Sequence, residues 1–486
     1  MSKVIRVFVQ PLSLLGTAAA LIVAGALTGN FSMIAAGVSL GASTLQKKPK
    51  APDNSAELVN RLQANIDPRT PRKMVFGTTA MATDIRDQEF SDSQTYLHRF
   101  IVVASHKVHA ISEIWFDDKL AWTVGGGAQG DYVGYLDVTP VLEGSAANAV
   151  NISARMGTTR RYTGLAYVYL KFRLKGLTKK TESPFAQSVP SRVTIRGDGA
   201  FVYDPRLDST AGGSGSCRAD DQSTWVWSAD GANNPALQLL WFLLGWRIKN
   251  PVTNEWKLAV GKGVPASRIN MASFIDAANI CDEAVALAAG GTEARYRSTG
   301  VVSEGDSPTT VLDMMKAAMN AILDDVDGKL RVQVLCNDLA SPVWSWTADD
   351  VLSDFEWTPS ADLDATFNIV RGVHPDPSDT ALYQMLDYPA REYPSEDGID
   401  RIEPFDLGMV ERASQCQRLA DLRYLRQKHS GVFSAVFQAT AWKVQKGDIV
   451  TGTFSPAGIS GVKFRVAEME IKQDGTVPMM LRVERR

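Results

Sequence analysis

Short apolar runs, many of them alternating with polar residues, recur along most of the chain from Lys73 onward. Alternation with a period of two is the pattern of half-buried β-strands, and short continuous runs are typical of fully buried ones. Strands are therefore predicted over residues 96–104, 108–116, 162–174, 329–335, 343–346, 367–373, 432–439, 448–454, 462–471 and 478–483. Asp117-Asp118 separates two apolar runs and predicts a hairpin turn. The alternation changes phase near Ala467-Glu468, which predicts a β-bulge.

Apolar residues at helical spacing are found in four stretches. The clearest runs from Pro235 to Leu244, where Asn234 can cap the free N–H groups at the start and Gly245 suits the left-handed position after the end. Further helices are predicted over residues 271–288, 308–322 and 405–426, and a strand is predicted over 293–302. The closely spaced strands at the C-terminal end indicate a small barrel or sandwich.

The first 50 residues differ from the rest, since no charged residue lies between Arg6 and Lys47. The candidate apolar arm or membrane-contact segment contains Leu14, Leu15, Leu21, Ile22, Val23, Gly25, Gly29, Phe31, Ile34, Gly37 and Gly41. Three interpretations compete: a signal peptide, a stable membrane anchor and an apolar arm sheltered inside an assembly. Pro11 and the length of the segment argue against a signal peptide. Taken alone, the segment favours the anchor, because it is long enough for one membrane span.

Composition narrows the classes of protein only a little. A net charge of -3 and a charged content of 22% give no general argument for nucleic-acid binding. The four cysteines, at positions 217, 281, 336 and 416, form no C-x-x-C pair. This spacing argues against a zinc ribbon and a dense disulfide scaffold, and predicts a reduced protein made in the cytoplasm.

No catalytic motif stands out. Residues 125–130 match G-x-G-x-x-G, but the residues after them have a strand-like pattern, so a flexible hairpin loop is predicted instead of a dinucleotide site. Residues 324–328 resemble the start of a calcium loop, but Glu is missing at the twelfth position, and a helix end followed by a tight turn is predicted. His106 and His109 have no third ligand nearby, so ordinary surface or partly buried histidines are predicted. We therefore expect no cofactor, no metal and no catalytic residue.

Two charged clusters leave alternatives open. Asp349, Asp350, Asp354 and Glu356 include carboxylates that could act in glycoside hydrolysis, although a solvated loop is the default interpretation. The most basic region contains Arg160, Arg161, Lys171, Arg173, Lys175, Lys179 and Lys180, with Tyr162, Tyr167, Tyr169 and Phe172 interleaved. Such a strand could follow a nucleic-acid backbone, and a solvated edge strand protected by lysine is the favoured interpretation.

Several short motifs occur in a distinctive order along the chain. They are Ile114–Lys119, Tyr203–Arg206, Asn234–Ala236, Cys281-Asp282, Asp327–Leu330, Phe367–Val373 and Lys446–Val450. In this order the chain, from about residue 70 to its end, resembles siphophage tail hub proteins, the tail tip attachment proteins of lambda-like phages and gene transfer agents. The resemblance implies a β-rich, multidomain α+β hub fold with small β-barrel or sandwich domains and a helical insertion. The domains expected are an apolar Gly-rich arm (1–50), a β-rich hub domain (51–200), an α+β hub domain (201–345) and a β-barrel-like hub domain with one long helix (346–486).

The same resemblance implies a structural virion protein without enzymatic activity, located at the tail tip. It implies a homotrimer whose paired β-domains imitate six-fold symmetry, which joins the tail tube to the tip and forms the channel for DNA ejection. Expected partners are the distal tail protein, the end of the tape measure protein, other tip or fibre proteins, the host envelope at infection, and phage DNA in transit. The apolar arm is then expected inside the tip. Lambda-like members continue into long fibre regions beyond the position of Arg486, so receptor recognition is expected to belong to other proteins. The alternative hypothesis is a membrane-anchored β-rich carbohydrate hydrolase or binding protein.

Overall fold

The structure, a computed structural model, describes residues 69–145, 147, 161–335, 341–360, 366–395 and 397–484, and the backbone of Asn65 and Ile66. The arm predicted over residues 1–50 lies outside the described residues, and so do Arg160 and Cys336.

The described residues up to position 200 form eleven strands. These are β1 (Asn65–Ile66), β2 (Lys73–Phe76), β3 (Thr78–Ala80), β4 (Asp84–Ser91), β5 (Tyr96–Ala104), β6 (Val108–Phe116), β7 (Lys119–Thr123), β8 (Gly127–Ala128), β9 (Leu136–Val141), β10 (Ala166–Arg173) and β11 (Val193–Ala200). Ten of them form two five-stranded sheets, in the orders β1-β4-β5-β10-β9 and β3-β11-β6-β7-β8. Apolar side chains of β5 and β10 meet those of β6 and β11 in one buried cluster, so the two sheets pack as a sandwich.

The strongest strand predictions in this region are confirmed. The strands predicted over 96–104 and 108–116 have the same bounds in the structure. Asp117 and Asp118 form the hairpin turn with φ values of 46° and 74°, which a two-residue turn of type I′ requires. The strand predicted from residue 162 begins only at Ala166, because the chain turns at Tyr162, whose φ is 45°.

The next region contains four helices and seven strands among the described residues. They are β12 (Trp246–Lys249), β13 (Trp256–Val260), β14 (Ala284–Ala286), β15 (Thr292–Ala294), β16 (Gly300–Ser303), β17 (Ala321–Val326), β18 (Lys329–Val334), α1 (Ala229–Ala232), α2 (Pro235–Leu244), α3 (Met271–Asp282) and α4 (Pro308–Ala317). Helix α2 is central, since all ten of its residues are buried and it contacts both α3 and α4. Its predicted caps are confirmed: the Asn234 side chain accepts hydrogen bonds from the N–H groups of Ala236 and Leu237, and Gly245 has a φ of 74°.

Two helices are shorter than predicted. Helix α3 ends at Asp282, because the following residues form the antiparallel hairpin β14–β15. Helix α4 ends at Ala317, and Ile322 lies in β17, which pairs with β18 across the Asp327-Gly328 turn. The strand predicted over 293–302 is divided into β15 and β16. The apolar residues at these positions fit both the spacing of a helix and the pattern of a strand. They form strands because a partner strand pairs with them.

The C-terminal region has eleven strands and one helix in its described part. They are β19 (Trp344–Thr347), β20 (Glu356–Thr358), β21 (Ile369–Arg371), β22 (Val373–Pro375), β23 (Met385–Asp387), β24 (Arg391–Glu392), β25 (Ile402–Pro404), β26 (Val432–Phe437), β27 (Ile449–Phe454), β28 (Ile459–Met469), β29 (Val477–Val483) and α5 (Ala413–Lys428). Six strands form one sheet in the order β19-β27-β28-β29-β26-β20, around a core with Trp346, Phe433 and Phe464. The predicted bulge is confirmed by a register shift between Val466 and Glu468. Within the described residues the edge strands β19 and β20 do not pair, so the sheet is open and does not close into a barrel.

The helix predicted from residue 405 begins eight residues later, at Ala413. The N–H of Phe405 donates to the C=O of Arg371, and the N–H of Leu407 donates to the C=O of Val373, so this segment runs beside strands instead of forming a helix. The polar segment over residues 379–395 is only partly exposed, because Ala381, Leu382 and Tyr383 are buried.

Strand β2 connects the sandwich to the helical region, since it pairs antiparallel with β16. Val75 packs into the sandwich core, whereas Met74 and Phe76 on the opposite face pack into the cluster around α2. That cluster also takes in Cys416 and Leu419 of α5. One core is therefore shared by residues from all three predicted domains that the structure describes, and the boundaries at 200 and 345 stay predictions.

Candidate functional site at the Asp282 junction

The carboxylate of Asp282, at the end of α3, accepts hydrogen bonds from three side chains on three other segments. Its Oδ2 lies 2.6 Å from Nη1 of Arg206. Its Oδ1 lies 3.0 Å from Nδ2 of Asn234 and 2.5 Å from Nη1 of Arg297. We call Asp204, Arg206, Asn234, Asp282 and Arg297 the Asp282 junction.

The local sequence explains how the donors Arg206 and Asn234 are placed. Asp204 caps the short 3-10 turn Pro205–Leu207 by accepting the N–H of Arg206 at 3.0 Å, and it also pairs with the guanidinium of Arg206 at 2.8 Å. Burial lowers the pKa of Arg206, but hydrogen bonds to the carboxylates of Asp204 and Asp282 outweigh burial, and the net shift is upward. Arg206 therefore stays charged and connects the turn to α3.

Asn234 connects α2 to α3. Its Oδ1 caps the first turn of α2, and its Nδ2 donates to the C=O of Ala278 as well as to Asp282, both at 3.0 Å. Because the side chain is fully buried, each of these bonds replaces a lost bond to water. One cap residue thereby fixes the relative position of two helices.

The junction connects segments of the fold, and the thiol next to it cannot act as a nucleophile. Cys281 precedes Asp282 in the chain and is fully buried, and burial raises the pKa of its thiol far above neutral. A protonated, inaccessible thiol is neither a nucleophile nor a metal ligand. The arrangement holds four segments together, the end of α3 and the three segments that carry the donors, by charge-assisted hydrogen bonds.

A second contact joins the β17–β18 hairpin to the motif Lys446–Val450, which lies far away in the chain. The Nζ of Lys446 lies 2.8 Å from Oδ1 of Asp324, and Nε2 of Gln333 donates to the C=O of Gly447 at 3.1 Å. Gly447 has a φ of 92°, and a Cβ there would lie only 2.4 Å from Oε1 of Gln333. The motif Lys446–Val450 thus marks where the strands of the β17–β18 hairpin meet the C-terminal sheet. The predicted turn after Asp324 is confirmed, whereas the predicted helix end is wrong because Asp324 lies in a strand.

Four of the five junction residues lie in motifs named from the sequence, which did not indicate that these motifs meet, and Arg297 lies in none of them. Tyr203–Arg206, Asn234–Ala236 and Cys281-Asp282 meet there, while Ile114–Lys119 forms a hairpin inside the sandwich. Arg297 lies in the irregular link between β15 and β16, where no periodic pattern marks it.

The Gly-rich residues 125–130 form a hairpin loop, as predicted, with Thr123 opposite Gly127. A 3-10 turn over Gly130–Tyr132 follows, so the strand predicted directly after the loop is wrong, and the next strand begins at Leu136. The loop has no α-helix after it whose N-terminus could face a pyrophosphate.

His106 and His109 have separate partners. Nε2 of His106 accepts the N–H of Val75 at 2.9 Å, and the ring is completely buried. Nδ1 of His109 lies 3.1 Å from the carboxylate of Asp198, and its ring stacks on Trp227 with centroids 4.0 Å apart. Across the described ranges no group of three metal-ligating side chains occurs.

The acidic cluster holds a turn together. The carboxylate of Asp350 accepts the N–H of Thr347 at 2.8 Å and the side-chain amide of Gln438 at 2.6 Å. Asp349 lies in the same short 3-10 turn. These bonds give Asp350 a capping role in the structure.

The basic strand β10 lies between β5 and β9, so its interpretation as an edge strand was wrong. Two of its interleaved aromatic residues, Tyr167 and Phe172, are fully buried. Lys171 lies over the ring of Tyr96 at 4.2 Å. Single-stranded nucleic acids stack on exposed aromatic faces, and these two rings offer none.

In the part of the chain that the structure describes, no helix has both the length and the apolarity that crossing a membrane requires.

Comparison with solved structures finds a likeness over most of the chain. A chain in the virion of a native gene transfer agent particle is 14% identical, with a TM-score of 0.55, covering 87% of this chain and 86% of that one. The two chains share a fold. At this identity the likeness establishes the β-rich α+β architecture and assigns no role to any residue.

Two further structures align over similar lengths with lower scores. The 43 kDa tail protein of prophage MuSo2 from Shewanella oneidensis is 12% identical, with a TM-score of 0.29, covering 85% of this chain and 94% of that one. Prophage tail protein gp18 from Listeria monocytogenes EGD-e is 9% identical, with a TM-score of 0.25 and coverages of 86% and 88%. Scores this low carry no argument about fold. No family model and no curated protein matches the chain.

The Asp282 junction makes a testable prediction about stability. Asp282→Ala is expected to lower the free energy of unfolding by about 2 kcal/mol, because it leaves two half-buried guanidinium groups and the Asn234 amide without their common acceptor. Urea unfolding followed by circular dichroism measures this loss.

Asp230→Ala is the matched control, since Asp230 pairs with the same Arg297 at 2.9 Å but its side chain is 85% exposed. The control is expected to change stability by less than about 0.5 kcal/mol. Equal losses in the two variants would contradict a central role for Asp282.

Proposed function

We propose that this chain is a structural virion protein that forms the central hub of a phage-type tail tip and has no enzymatic role. The observation that carries the proposal is the shared fold with a gene transfer agent virion chain over most of both lengths. The physical joining of three hub-like motifs at the Asp282 junction supports it further.

The hub would be a homotrimer that joins the tail tube to the tip and surrounds the path of DNA at ejection. Its partners would be the distal tail protein, the end of the tape measure protein, and other tip or fibre proteins. An exposed apolar surface supports such assembly: Trp256 and Leu258 lie on one face of β13, and Val252 lies at the tip of the same hairpin. Contiguous exposed apolar side chains are typical of protein interfaces.

Residues 1–50 would form the apolar arm, sheltered in the tip before infection and meeting the host envelope at ejection. The Gly-containing stretch between Arg6 and Lys47, which has no charged residue, suits close packing inside an assembly. The remaining chain would divide into hub domains over 51–200, 201–345 and 346–486.

Immunogold electron microscopy of purified particles tests the location. An epitope inserted after Ala289, in the exposed β14–β15 turn, labels one site, and an epitope at Gly475, in the β28–β29 turn, labels a second. A Cβ added at Gly475 would meet no atom within 4 Å, so this position of the turn faces open space. We expect gold from at least one epitope at a single end of each tail.

Immunoblotting of the same particles is the control for epitopes hidden by neighbouring subunits. A chain that is absent from purified particles but present in host membranes would overturn the proposal and favour the membrane-anchored alternative. Gold along the tail tube would overturn the hub location while retaining a virion role.

A further inference from the structure

A pocket of about 540 Å³ opens between the end of α4, helix α5 and strand β29. Its lining is unusually rich in positive charge, since four of its residues are basic and one is acidic. The basic residues are Lys316, Arg423, Arg426 and Arg482. We call this cavity the arginine pocket.

Two of these four cations are neutralised by neighbours. Lys316 pairs with Asp313 at 2.9 Å, and Arg423 pairs with Glu403. Arg426 and Arg482 have no carboxylate within ion-pair distance among the described residues. The positive charge without a counter-ion is therefore concentrated on these two side chains.

Arg426 is held in place by a neutral partner. Its Nη1 donates to Oδ1 of Asn320 at 3.0 Å, which uses one of the five donors of the guanidinium. Burial lowers the pKa of Arg426 to about 10, and the positive charges of Arg482 and Arg465 add to this effect while Glu484 opposes it. A desolvated cation of this kind gains from an oxyanion that binds its remaining donors.

The nearest carboxylate on the neighbouring strands is already engaged. Glu484 pairs with Nε of Arg465 at 2.9 Å, and Arg465 lies directly opposite Arg482 in the β28–β29 pairing. Glu484 therefore neutralises Arg465 and leaves the counter-ion position at Arg482 open to a bound anion.

We propose that the arginine pocket binds a phosphate-class oxyanion, with Arg426 and Arg482 as its binding groups. Guanidinium groups bind phosphate in a bidentate manner, and two of them on separate elements, α5 and β29, suit a dianion. The volume of the pocket lies in the range found for binding sites of small organic ligands and is larger than a phosphate ion occupies. Phe367 and Phe405 also line the pocket, so a phosphate carried on an organic group fits it. The source is either a soluble phosphate compound or a phospholipid headgroup.

Isothermal titration calorimetry of the purified full chain with inorganic pyrophosphate tests the proposal. We expect one saturable site per chain, which sodium chloride at equal ionic strength does not reproduce. Arg482→Gln, an exposed change that leaves the helices untouched, is expected to weaken binding roughly tenfold or more. Arg426→Gln is expected to abolish it, with circular dichroism verifying that the variant is folded.

Arg371→Gln is the matched control, because Arg371 is an exposed arginine outside the pocket. It is expected to bind pyrophosphate like the unchanged chain. No saturable binding, or equal weakening in the Arg371 and Arg482 variants, would overturn the proposal.

Sedimentation with phosphatidylglycerol vesicles then distinguishes the two sources. Co-sedimentation that is lost in Arg482→Gln and kept in Arg371→Gln identifies a lipid headgroup. Pyrophosphate binding without such co-sedimentation identifies a soluble phosphate compound. The proposal does not depend on a virion role, so it can fail while the hub proposal stands, and the reverse.

Discussion

Trp241→Ala is expected to lower the free energy of unfolding by about 3–5 kcal/mol, the range for removing a large aromatic side chain from a packed core. Trp241 is completely buried in α2, where its ring meets Phe76 edge-on at 5.1 Å and lies near His106 at 5.3 Å. It also stacks on Trp246. The deletion therefore opens a cavity between α2 and β2, which lies at the contact between the sandwich and the helical region.

Urea unfolding monitored by far-ultraviolet circular dichroism measures this effect without depending on tryptophan fluorescence. Trp256→Ala is the matched control, because Trp256 is 58% exposed, and it is expected to cost less than about 1 kcal/mol. The indole Nε1 of Trp241 has no hydrogen-bond partner in the described residues, so Trp241→Phe should cost much less than Trp241→Ala. A loss in Trp241→Ala no larger than in the control would contradict the central position of α2.

Acidification from pH 6.5 to pH 4 is expected to remove about 3 kcal/mol of stability through His106 alone. Burial lowers the pKa of His106 from its ordinary 6.5 to about 4. Below pH 6.5 the unfolded chain binds a proton at this residue, whereas the native chain does so only near pH 4. The stability that depends on the neutral His106 ring is therefore fully present above pH 6.5. It is lost as the pH falls from 6.5 toward 4, and His106 causes no further change below pH 4.

The measurement is the free energy of urea unfolding at several pH values between 7 and 4, compared with that of His106→Gln. Glutamine binds no proton in this pH range, so the stability of the His106→Gln variant should fall less steeply than that of the unchanged chain. The two slopes should differ by up to about 1.4 kcal/mol per pH unit. Parallel pH curves for the unchanged chain and His106→Gln would refute the assignment.

The sequence predicted best those elements whose signals are local. The caps of α2 at Asn234 and Gly245, the Asp117-Asp118 hairpin and the bulge before Glu468 each follow from a few neighbouring residues, and each is confirmed. Elements that depend on a distant partner were predicted less well. The end of α4 is the clearest case, since Ile322 follows the helical spacing but is drawn into a strand by pairing with β18.

In the candidate site, too, residues with a local signal stand out in the sequence, and residues that depend on a distant partner do not. Asp282 and Asn234 stand in motifs that the sequence made visible, but no pattern indicated that Arg297 would reach the same carboxylate. The arginine pocket was missed entirely, because Arg426 and Arg482 lie on a helix and a strand that meet only in the folded chain. Arg426 lies in the helix predicted over 405–426, and its place beside Arg482 in the lining of one pocket could not be read from helical spacing.

The pairing of β2 with β16 has a consequence for synthesis of the chain on the ribosome. Val75 pairs opposite Val301, which lies 226 residues later in the chain, so β2 is synthesised long before its partner strand. At about 5–20 residues per second this delay lasts about 10–40 s. During that time the apolar residues Met74, Val75 and Phe76 belong to a nascent chain whose two cores are both unfinished. The yield of native protein should therefore depend on translation speed and on chaperones that bind nascent chains.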